Sequence, residues 1–426
     1  SGAGNLGGGT YSSTLTINDT SGFHYDGDNL QTLSGTVQGS GTGGILATGS
    51  GQLRIHFNAS QFSGPVIVDG GSLQFRNTTG DTAGFTSNNL NIEGGGTMAI
   101  QSSIGGNNRT TLNGKTWTFD NGGGTLTFNG GNHLFQGGGN THNFDVTAAG
   151  SGSGITGING GFMNMQGSGN IEFDVADGAE DRDLTLSATF NNGLITKNGT
   201  GTLAITGTIN GSYAIDINAG TLEVGDSARL AGGTFTAAIT NDGVFKHSSN
   251  QTQTLSGNIS GTGAIEKIGG AALTLSGNNT YSGTTILGDG TTANSVIVAG
   301  STTGLSSNSA FIVNSEGALK LNGNDSSIGS LAGNGIVRNE NATGATLTTG
   351  GDNSSTTFSG ILQDGAGGGT FGLTKVGTGT MTLTGANQHT GTTTLNAGTL
   401  VLGNVSAAGT GTISQTDGTS LLRLNT

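Results

Sequence analysis

One short sequence pattern recurs along this chain and constrains its fold more than any other feature. Each clear copy has a lysine, a glycine two residues later, and then two apolar residues at alternate positions. The three clear copies are ITKNGTGTLAITG at 195–207, IEKIGGAALTLSG at 265–277 and LTKVGTGTMTLTG at 373–385. A more distant copy, GSGQLRIHFNASQFSGPVIVDGGSLQF, lies at 49–75 and has Leu53 and Ile55 as its apolar pair.

The repeated unit extends on both sides of this pattern. AIDINAGTLEVG at 214–225 and TTLNAGTLVLG at 393–403 share a closing Asn-Ala-Gly-Thr-Leu. Upstream, LQTLSG at 30–35 resembles TQTLSG at 252–257. The main copies therefore lie near residues 195–225, 252–287 and 357–403, and each is a series of short segments that stop at Gly or Asn.

The local pattern within each segment is that of a β-strand. Apolar residues occupy every second position for a few residues, which is typical of a half-buried strand bounded by turns. Thr and Ser fill many of the alternate positions, and Thr suits a pleated, solvent-facing surface. No stretch shows a sustained helical stripe with a cap. The sequence therefore predicts an all-β chain with essentially no helix.

The spacing of the copies favours a solenoid over a propeller. The corresponding Leu53, Leu203, Leu273 and Met381 lie 150, 70 and 108 residues apart. Propeller blades need a near-constant period, whereas a solenoid admits insertions as loops because each coil contacts only its neighbours. We predict a parallel β-helix with irregular loop insertions; an array of β-sandwiches is the alternative.

Composition narrows the class of protein further. The chain has 86 glycines among 426 residues, one proline, no cysteine and a net charge of −13. An acidic chain without a basic face is a poor partner for nucleic acid, and no apolar run is long enough for a transmembrane helix. A cysteine-free chain with few charges and many Ser, Thr, Asn and Gly residues indicates an extracellular or bacterial cell-surface protein without a cofactor.

Phenylalanine is unevenly distributed, which raises the question of a domain boundary. Residues 1–150 are richer in Phe than residues 151–426, which contain the clear repeats. We expect either an N-terminal β-rich segment over 1–150 followed by a repeat-bearing solenoid over 151–426, or one continuous domain. Phe at strand spacing is typical of core stacking rather than of a carbohydrate platform.

At its clearest copies the chain resembles the autotransporter-associated β-strand repeat. KVGTGTMTLTGANQHTGTTTLNAGTLVLG at 375–403 and KIGGAALTLSGNNTYSGTTI at 267–286 share the lysine, the glycine, the apolar pair, Gly-x-Asn, an aromatic or His, and Gly-Thr-Thr. His389 stands where the other copy has Tyr281. The resemblance implies an exported, passenger-like β-helix of a bacterial surface protein. It implies no catalytic residues.

One acidic segment is a candidate for cation binding or catalysis. IEFDVADGAEDRD at 171–183 offers several carboxylates on a compact loop, which suits Ca²⁺, although its spacing matches no standard calcium motif. A solvated acidic loop is the alternative, and we expect no enzyme unless acids converge in a groove. The candidate calcium ligands are Asp174, Asp177, Glu180, Asp181 and Asp183.

The two ends of the chain are candidates for self-assembly. Both GGGTYSSTLTI and TSLLRLNT are strand-like and almost uncharged, unlike the polar caps that protect solenoid ends. Head-to-tail contacts would then build a filament from copies of this chain. The alternative is a monomeric adhesin that binds surface glycans through side loops. The residues predicted at the assembly interface are Thr10, Tyr11, Leu15, Ile17, Leu421, Leu422 and Leu424.

Overall fold

A computed structural model describes most of the chain. It covers residues 6–18, 20–40, 42–56, 61–77, 89–93, 96–102, 109–111, 116–119, 124–129, 132–136, 141–146, 157–159, 162–166, 170–291 and 294–425. Within these residues the regular structure is β-strand, with two short 3-10 turns at Leu6–Gly9 and Ala231–Gly233 and no α-helix. The all-β prediction is confirmed.

The chain forms two compact units, Ser1–Leu222 and Glu223–Thr426, so the drop in Phe content after residue 150 does not coincide with their boundary. Whether residues 1–150 form a separate domain stays a prediction. The strands of the first unit, ending with the one in which the boundary falls, are β1 (Thr10–Tyr11), β2 (Leu15–Thr16), β3 (Gly22–Tyr25), β4 (Gln31–Leu33), β5 (Val37–Gly39), β6 (Gly44–Ala47), β7 (Gln52–His56), β8 (Gln61–Phe62), β9 (Val66–Asp69), β10 (Ser72–Asn77), β11 (Asn89–Glu93), β12 (Gly96–Ser102), β13 (Arg109–Thr111), β14 (Thr116–Phe119), β15 (Gly124–Asn129), β16 (Asn132–Gln136), β17 (Thr141–Val146), β18 (Gly157–Asn159), β19 (Phe162–Gln166), β20 (Asn170–Val175), β21 (Leu184–Leu186), β22 (Thr189–Asn191), β23 (Leu194–Asn198), β24 (Thr202–Ile205), β25 (Thr208–Asn210), β26 (Ile215–Ile217) and β27 (Thr221–Val224).

The second unit is built in the same way from short strands. They are β28 (Arg229–Leu230), β29 (Thr234–Phe235), β30 (Ile239–Asn241), β31 (Val244–His247), β32 (Gln253–Leu255), β33 (Ile259–Ser260), β34 (Ala264–Lys267), β35 (Leu273–Leu275), β36 (Thr285–Leu287), β37 (Ser295–Ala299), β38 (Ala310–Val313), β39 (Gly317–Lys320), β40 (Ser326–Ser327), β41 (Ser330–Gly333), β42 (Ile336–Asn339), β43 (Ala345–Thr349), β44 (Thr356–Phe358), β45 (Ile361–Asp364), β46 (Phe371–Lys375), β47 (Thr380–Leu383), β48 (Thr393–Leu395), β49 (Thr399–Leu402), β50 (Ile413–Gln415) and β51 (Leu421–Leu424).

Strands pair in parallel with the strand one coil later, which is the connectivity of a β-solenoid. Leu347 of β43 pairs with Leu373 of β46, Leu373 with Thr393 of β48, and Thr393 with Ile413 of β50. These coils therefore take 26, 20 and 20 residues. The variation is the irregular insertion that the spacing of the repeats predicts, and the parallel β-helix is confirmed.

Inward side chains form columns that run from coil to coil. In the first unit Trp117 of β14 pairs with Phe144 of β17 and Phe144 with Phe173 of β20, and all three are buried. Their ring centroids lie 6.3 and 5.3 Å apart with nearly parallel planes. Such pairs add about 0.5–1.5 kcal/mol each beyond the burial of their area. These aromatic residues are core residues, as expected.

The glycine two residues after each repeat lysine is required by the corner that it forms. Gly199, Gly269 and Gly377 have φ values of 72°, 81° and 72°, in the left-handed region that side chains disfavour. A Cβ atom on Gly377 would also lie 1.9 Å from the carbonyl oxygen of Gly350 in the previous coil. The corner therefore needs glycine both for its backbone conformation and for close stacking.

Candidate functional site

The repeat lysines point into the solenoid instead of into solvent. Lys197, at the end of β23, is fully buried. Its Nζ donates hydrogen bonds to the carbonyl oxygens of Asn198 at 2.5 Å, Gly199 at 2.8 Å and Ala219 at 3.3 Å. An ammonium group has three donors and no acceptor. Its donors are thus all used on main-chain carbonyls of its own corner and of the next coil.

The other two repeat lysines bind their corners in the same way. Lys267 is fully buried, and its Nζ donates to the carbonyls one and two residues after it, the second at 2.7 Å. Lys375 is 1 % exposed, and its Nζ donates to the carbonyls one and two residues after it at 2.6 and 3.0 Å, and to Ala397 at 3.4 Å. We call Lys197, Lys267 and Lys375 the lysine clamps.

Burial lowers the pKa of all three ammonium groups. Desolvation lowers the pKa of Lys197 to about 8, an effect that Asp174 and Asp183 partly oppose. Burial likewise lowers the pKa of Lys267 to about 8 and also lowers that of Lys375. Charged donors form stronger hydrogen bonds to carbonyls than neutral donors do, and with pKa values of about 8 Lys197 and Lys267 keep that charge at pH 7.

A second repeated clamp uses asparagine. Asn279, 5 % exposed, accepts a hydrogen bond from the Ile259 N–H at 2.8 Å through Oδ1 and donates through Nδ2 to the carbonyl of Gly304 at 2.6 Å. Asn387, at the matching place in its copy, accepts from a main-chain N–H of the previous coil at 2.8 Å and donates to a carbonyl of the next coil at 2.5 Å. Each amide therefore links three successive coils.

The position that alternates between tyrosine and histidine has one structural role. The Tyr281 hydroxyl lies 2.9 Å from Thr285 Oγ1, and His389 Nε2 lies 2.9 Å from Thr393 Oγ1. Both rings are fully buried. Burial raises the pKa of Tyr281 to about 12 and lowers that of His389. The Gly-Thr-Thr of the repeat thus supplies a buried hydroxyl for whichever ring precedes it.

Gln31 and Gln253, which the lead-in sequences place at matching positions, are also buried. Each side-chain amide donates to the carbonyl of the following threonine, at 3.2 and 3.0 Å. Gln253 additionally accepts from the Leu230 N–H at 2.7 Å through Oε1. The side-chain roles of these residues were not predicted. The only sign of these roles in the sequence is that glutamine recurs at the same position of two similar segments.

His247 lies directly before a lysine clamp in the stack of coils. It pairs in register with Lys267, is fully buried, and has neither ring nitrogen hydrogen-bonded to a described residue. Burial, together with the charge of Lys267, lowers the pKa of His247 to about 3. The imidazole is therefore neutral at physiological pH and packs as an apolar ring.

The carboxylates of the acidic segment have different surroundings, and the calcium site stays a prediction. Asp183 is 3 % exposed, and its two carboxylate oxygens accept from the main-chain N–H groups of Gly178 at 2.8 Å and Thr202 at 2.7 Å. Asp174, Asp177, Glu180 and Asp181 are exposed. Within the described ranges no three His, Asp or Glu side chains come together as a set of metal ligands. Asp183 instead binds two corners.

The residues predicted at the ends of the chain lie on edge strands. Thr10 and Tyr11 form β1, which pairs with β4, and Leu15 begins β2, which pairs with β5, whereas Ile17 is buried. Leu421, Leu422 and Leu424 belong to β51, which pairs with β49. Leu421 and Leu424 are 51 % and 72 % exposed. Five of the seven predicted residues therefore lie on β1 or β51, and Leu15 lies on β2.

The fold and its clamps define a parallel β-solenoid whose coils are joined by buried polar side chains. Four segments of the chain match the passenger-associated-transport-repeat, at residues 45–75, 195–224, 265–293 and 373–402. The prediction of autotransporter-type repeats is confirmed, including the distant copy, in which the buried Ala47 stands at the lysine position. The matched segments cover less than a third of the chain.

The chain is also similar to a much longer surface protein. It is 38 % identical over 153 residues to the adhesin BmaC autotransporter of Brucella suis biovar 1 (strain 1330), which is 35 % of this chain and 4 % of that protein. This chain therefore spans only a small part of the relative's length. No solved structure matches it. In the part of the chain that the structure describes, no helix is long and apolar enough to cross a membrane.

The lysine clamps should be tested by replacing one with an apolar side chain of similar length. Lys267→Met leaves two corner carbonyls without their donor, and each unsatisfied buried acceptor costs about 1–3 kcal/mol. Relief of the lysine's desolvation offsets part of this cost. We expect the free energy of unfolding, measured by urea titration with circular dichroism, to fall by about 1–3 kcal/mol.

Lys246→Met is the matched control, because Lys246 is the outward, partly exposed residue of the neighbouring coil. It should change the free energy of unfolding by less than about 0.5 kcal/mol. If Lys267→Met is as stable as the unmodified chain, the desolvation cost outweighs the hydrogen bonds and the clamp does not stabilise the corner.

His247 should make the solenoid sensitive to acid. A base whose pKa is lower in the folded state contributes stability that is complete above its unfolded pKa, near 6.5, and is lost as the pH falls toward its folded value of about 3. At pH 4.5 the loss from this residue alone should be about 2–3 kcal/mol. The measurement is the free energy of unfolding from urea titration at pH 7.0 and 4.5. Between these pH values His247→Phe should lose less stability than the unmodified chain, by this amount.

The exposed His24 supplies the control for this comparison. His24→Gln should lose as much stability between pH 7.0 and 4.5 as the unmodified chain. If His247→Phe lost as much stability between pH 7.0 and 4.5 as the unmodified chain, His247 would not bind a proton more readily in the unfolded state than in the folded state.

Proposed function

We propose that this chain is a non-enzymatic segment of a bacterial surface adhesin, exported as a passenger and displayed outside the cell. The observation that carries the proposal is the set of four transport repeats in a β-solenoid, together with the similarity to an autotransporter adhesin over 153 residues. Repeat solenoids provide long, rigid surfaces for binding. The residues that recur here stabilise coils and leave the outward side chains free to differ.

The surface chemistry supports contact with other surfaces rather than with nucleic acid. The chain has 13 basic and 26 acidic residues, so phosphate backbones are repelled. Charged residues make up 9 % of the chain, and Thr, Ser and Asn are frequent at the outward strand positions. Such a surface offers many hydroxyl and amide groups for hydrogen bonds at a small cost in desolvated charge.

Adhesion should be measured with beads that carry the purified chain. Beads coupled to the folded chain should bind to polystyrene and to cultured epithelial cells several times more often than uncoated beads under gentle flow. The control beads carry the same chain after it has been unfolded in urea, and they are transferred to urea-free buffer only for the assay. They show how much binding depends on composition alone, without the fold. Equal binding by folded-chain beads and uncoated beads would contradict an adhesive role for this segment.

Head-to-tail assembly is a second candidate function, and one observation favours it. The outermost strand β51 carries two leucines, Leu421 and Leu424, that are more than half exposed. Ile413 of β50, the strand that precedes β51 in the chain, is 37 % exposed. An apolar strand edge is a template for a further parallel strand. We propose that the β1–β2 end of a second copy covers this edge and that repeated contacts build a filament.

Assembly predicts a mass well above that of one chain. Size-exclusion light scattering at neutral pH should give species larger than 41.8 kDa, and negative-stain microscopy should show uniform fibres. Leu421→Asp with Leu424→Asp should return the mass to that of a monomer, because a charge cannot be buried in the contact without a partner. Val405→Asp is the control, since Val405 is 89 % exposed and lies outside these strands. A monomer in the unmodified chain would contradict the filament.

A further inference from the structure

An open groove in the second unit is lined by hydroxyl groups. Its volume is about 360 Å³, at the lower end of the range for ligand sites. The lining comes from β43, β46 and β48, from the residues that precede them, and from Thr412 before β50. It consists of Thr, Gly and one Ala. We call this the threonine groove. It lies on the sheet face itself and owes its shape to no long loop.

The hydroxyls of the groove form a regular array. Thr374 pairs in register with Thr394 one coil later and with Thr348 one coil earlier, and all three side chains are partly exposed. Thr346 and Thr392 lie two residues before Thr348 and Thr394 on their coils and form the second row. Successive coils are separated by about 4.8 Å and the two rows by about 7 Å.

A glycine in the middle of a strand opens the groove. Gly372 of β46 pairs with Thr346, and a Cβ atom there would lie 3.0 Å from Thr346 Oγ1. Its φ is not in the left-handed region, so the backbone does not require glycine. The other clear copies carry Leu194 and Ala264 at this place. Glycine inside a strand weakens it and often marks the close approach of another molecule.

The groove hydroxyls have unused hydrogen-bonding capacity. Thr346, Thr374, Thr392 and Thr394 form no side-chain hydrogen bond to any described residue, whereas Thr390 at the rim donates to Asp364 at 2.6 Å. No Asp, Glu, Lys or Arg lines the groove. Four such hydroxyls, each able both to donate and to accept, are complementary to a ligand that is itself rich in hydroxyl groups and carries no charge.

We propose that the threonine groove binds a neutral, linear polysaccharide that runs across the coils. The strand spacing is close to the rise per sugar of an extended polysaccharide, so successive sugars meet equivalent hydroxyls. Gly372 lines the groove, and a side chain there would crowd Thr346 Oγ1. The net charge of −13 disfavours acidic polysaccharides. This proposal rests on the proposed adhesive function, and it assigns to that function a class of ligand and a binding site.

Binding to soluble polysaccharides tests the groove directly. Dextran, mannan and hydroxyethyl cellulose are the neutral probes, alginate is the acidic probe, and affinity electrophoresis and titration calorimetry of the full chain are the measurements. At least one neutral probe should bind and alginate should not. Gly372→Val, which fills the floor, and Thr374→Val with Thr394→Val, which removes two hydroxyls, should each weaken binding about tenfold or more.

Thr382→Val is the matched control, because Thr382 is a partly exposed outward residue of β47 and does not line the groove. It should bind as the unmodified chain does, and circular dichroism with urea unfolding should show all variants folded. Binding that survives both groove changes would overturn the groove and leave adhesion standing. The groove proposal would also be overturned if the chain adhered on beads but bound none of the neutral probes, or if it bound alginate in preference to them. Beads that fail to adhere while the groove still binds sugar would contradict the adhesive function alone.

Discussion

The structure depends on how the corners of stacked coils satisfy their main-chain carbonyls. A parallel solenoid turns sharply between short strands, and each turn leaves carbonyl oxygens that point inward with no strand to pair with. Buried acceptors without a donor cost about 1–3 kcal/mol each, and the penalty recurs with every coil. Three repeat corners meet it with a buried lysine, whose ammonium group donates to two or three carbonyls at once. One lysine side chain thus supplies hydrogen-bond donors to several corner carbonyls, which an apolar side chain such as leucine cannot do.

The other repeated polar residues solve the same problem at different corners. Asn279 and Asn387 each link three coils through one amide, and Thr285 and Thr393 satisfy a buried ring. Buried polar groups that are hydrogen-bonded across coils specify one register, because a shift by one residue would break these hydrogen bonds. Register is the main uncertainty in a stack of near-identical strands. A chain without cysteine obtains its order from these side chains.

Much of the fold could be predicted from sequence, because strand alternation and recurrence are local signals. The repeat predicted parallel coils, and Lys197, Lys267 and Lys375 were recognised as equivalent. Their burial could not be predicted, since lysine is almost never buried and its partners are carbonyls, which leave no mark in the sequence. The inward turn of one carboxylate in the acidic run at 171–183 could not be predicted for a related reason. Spacing along the chain did not reveal that Asp183 turns inward to bind two N–H groups while its neighbours face solvent.

Separating inward from outward positions also shows where function can evolve. Inward residues pack against the coils above and below, so the same residue types must recur there. Recurrence of a residue in the sequence therefore indicates a role in stability. Outward residues have no such constraint, and a departure there carries information. Gly372 is such a departure: its copies have Leu194 and Ala264, its backbone does not need glycine, and it costs about 0.5–1 kcal/mol relative to alanine. Gly372 alternates with the inward Phe371 and Leu373 but is itself buried, because Thr346 lies close to it. The hydroxyls beside it have no protein partner among the described residues, and we relate the retained cost of this glycine to what the groove binds.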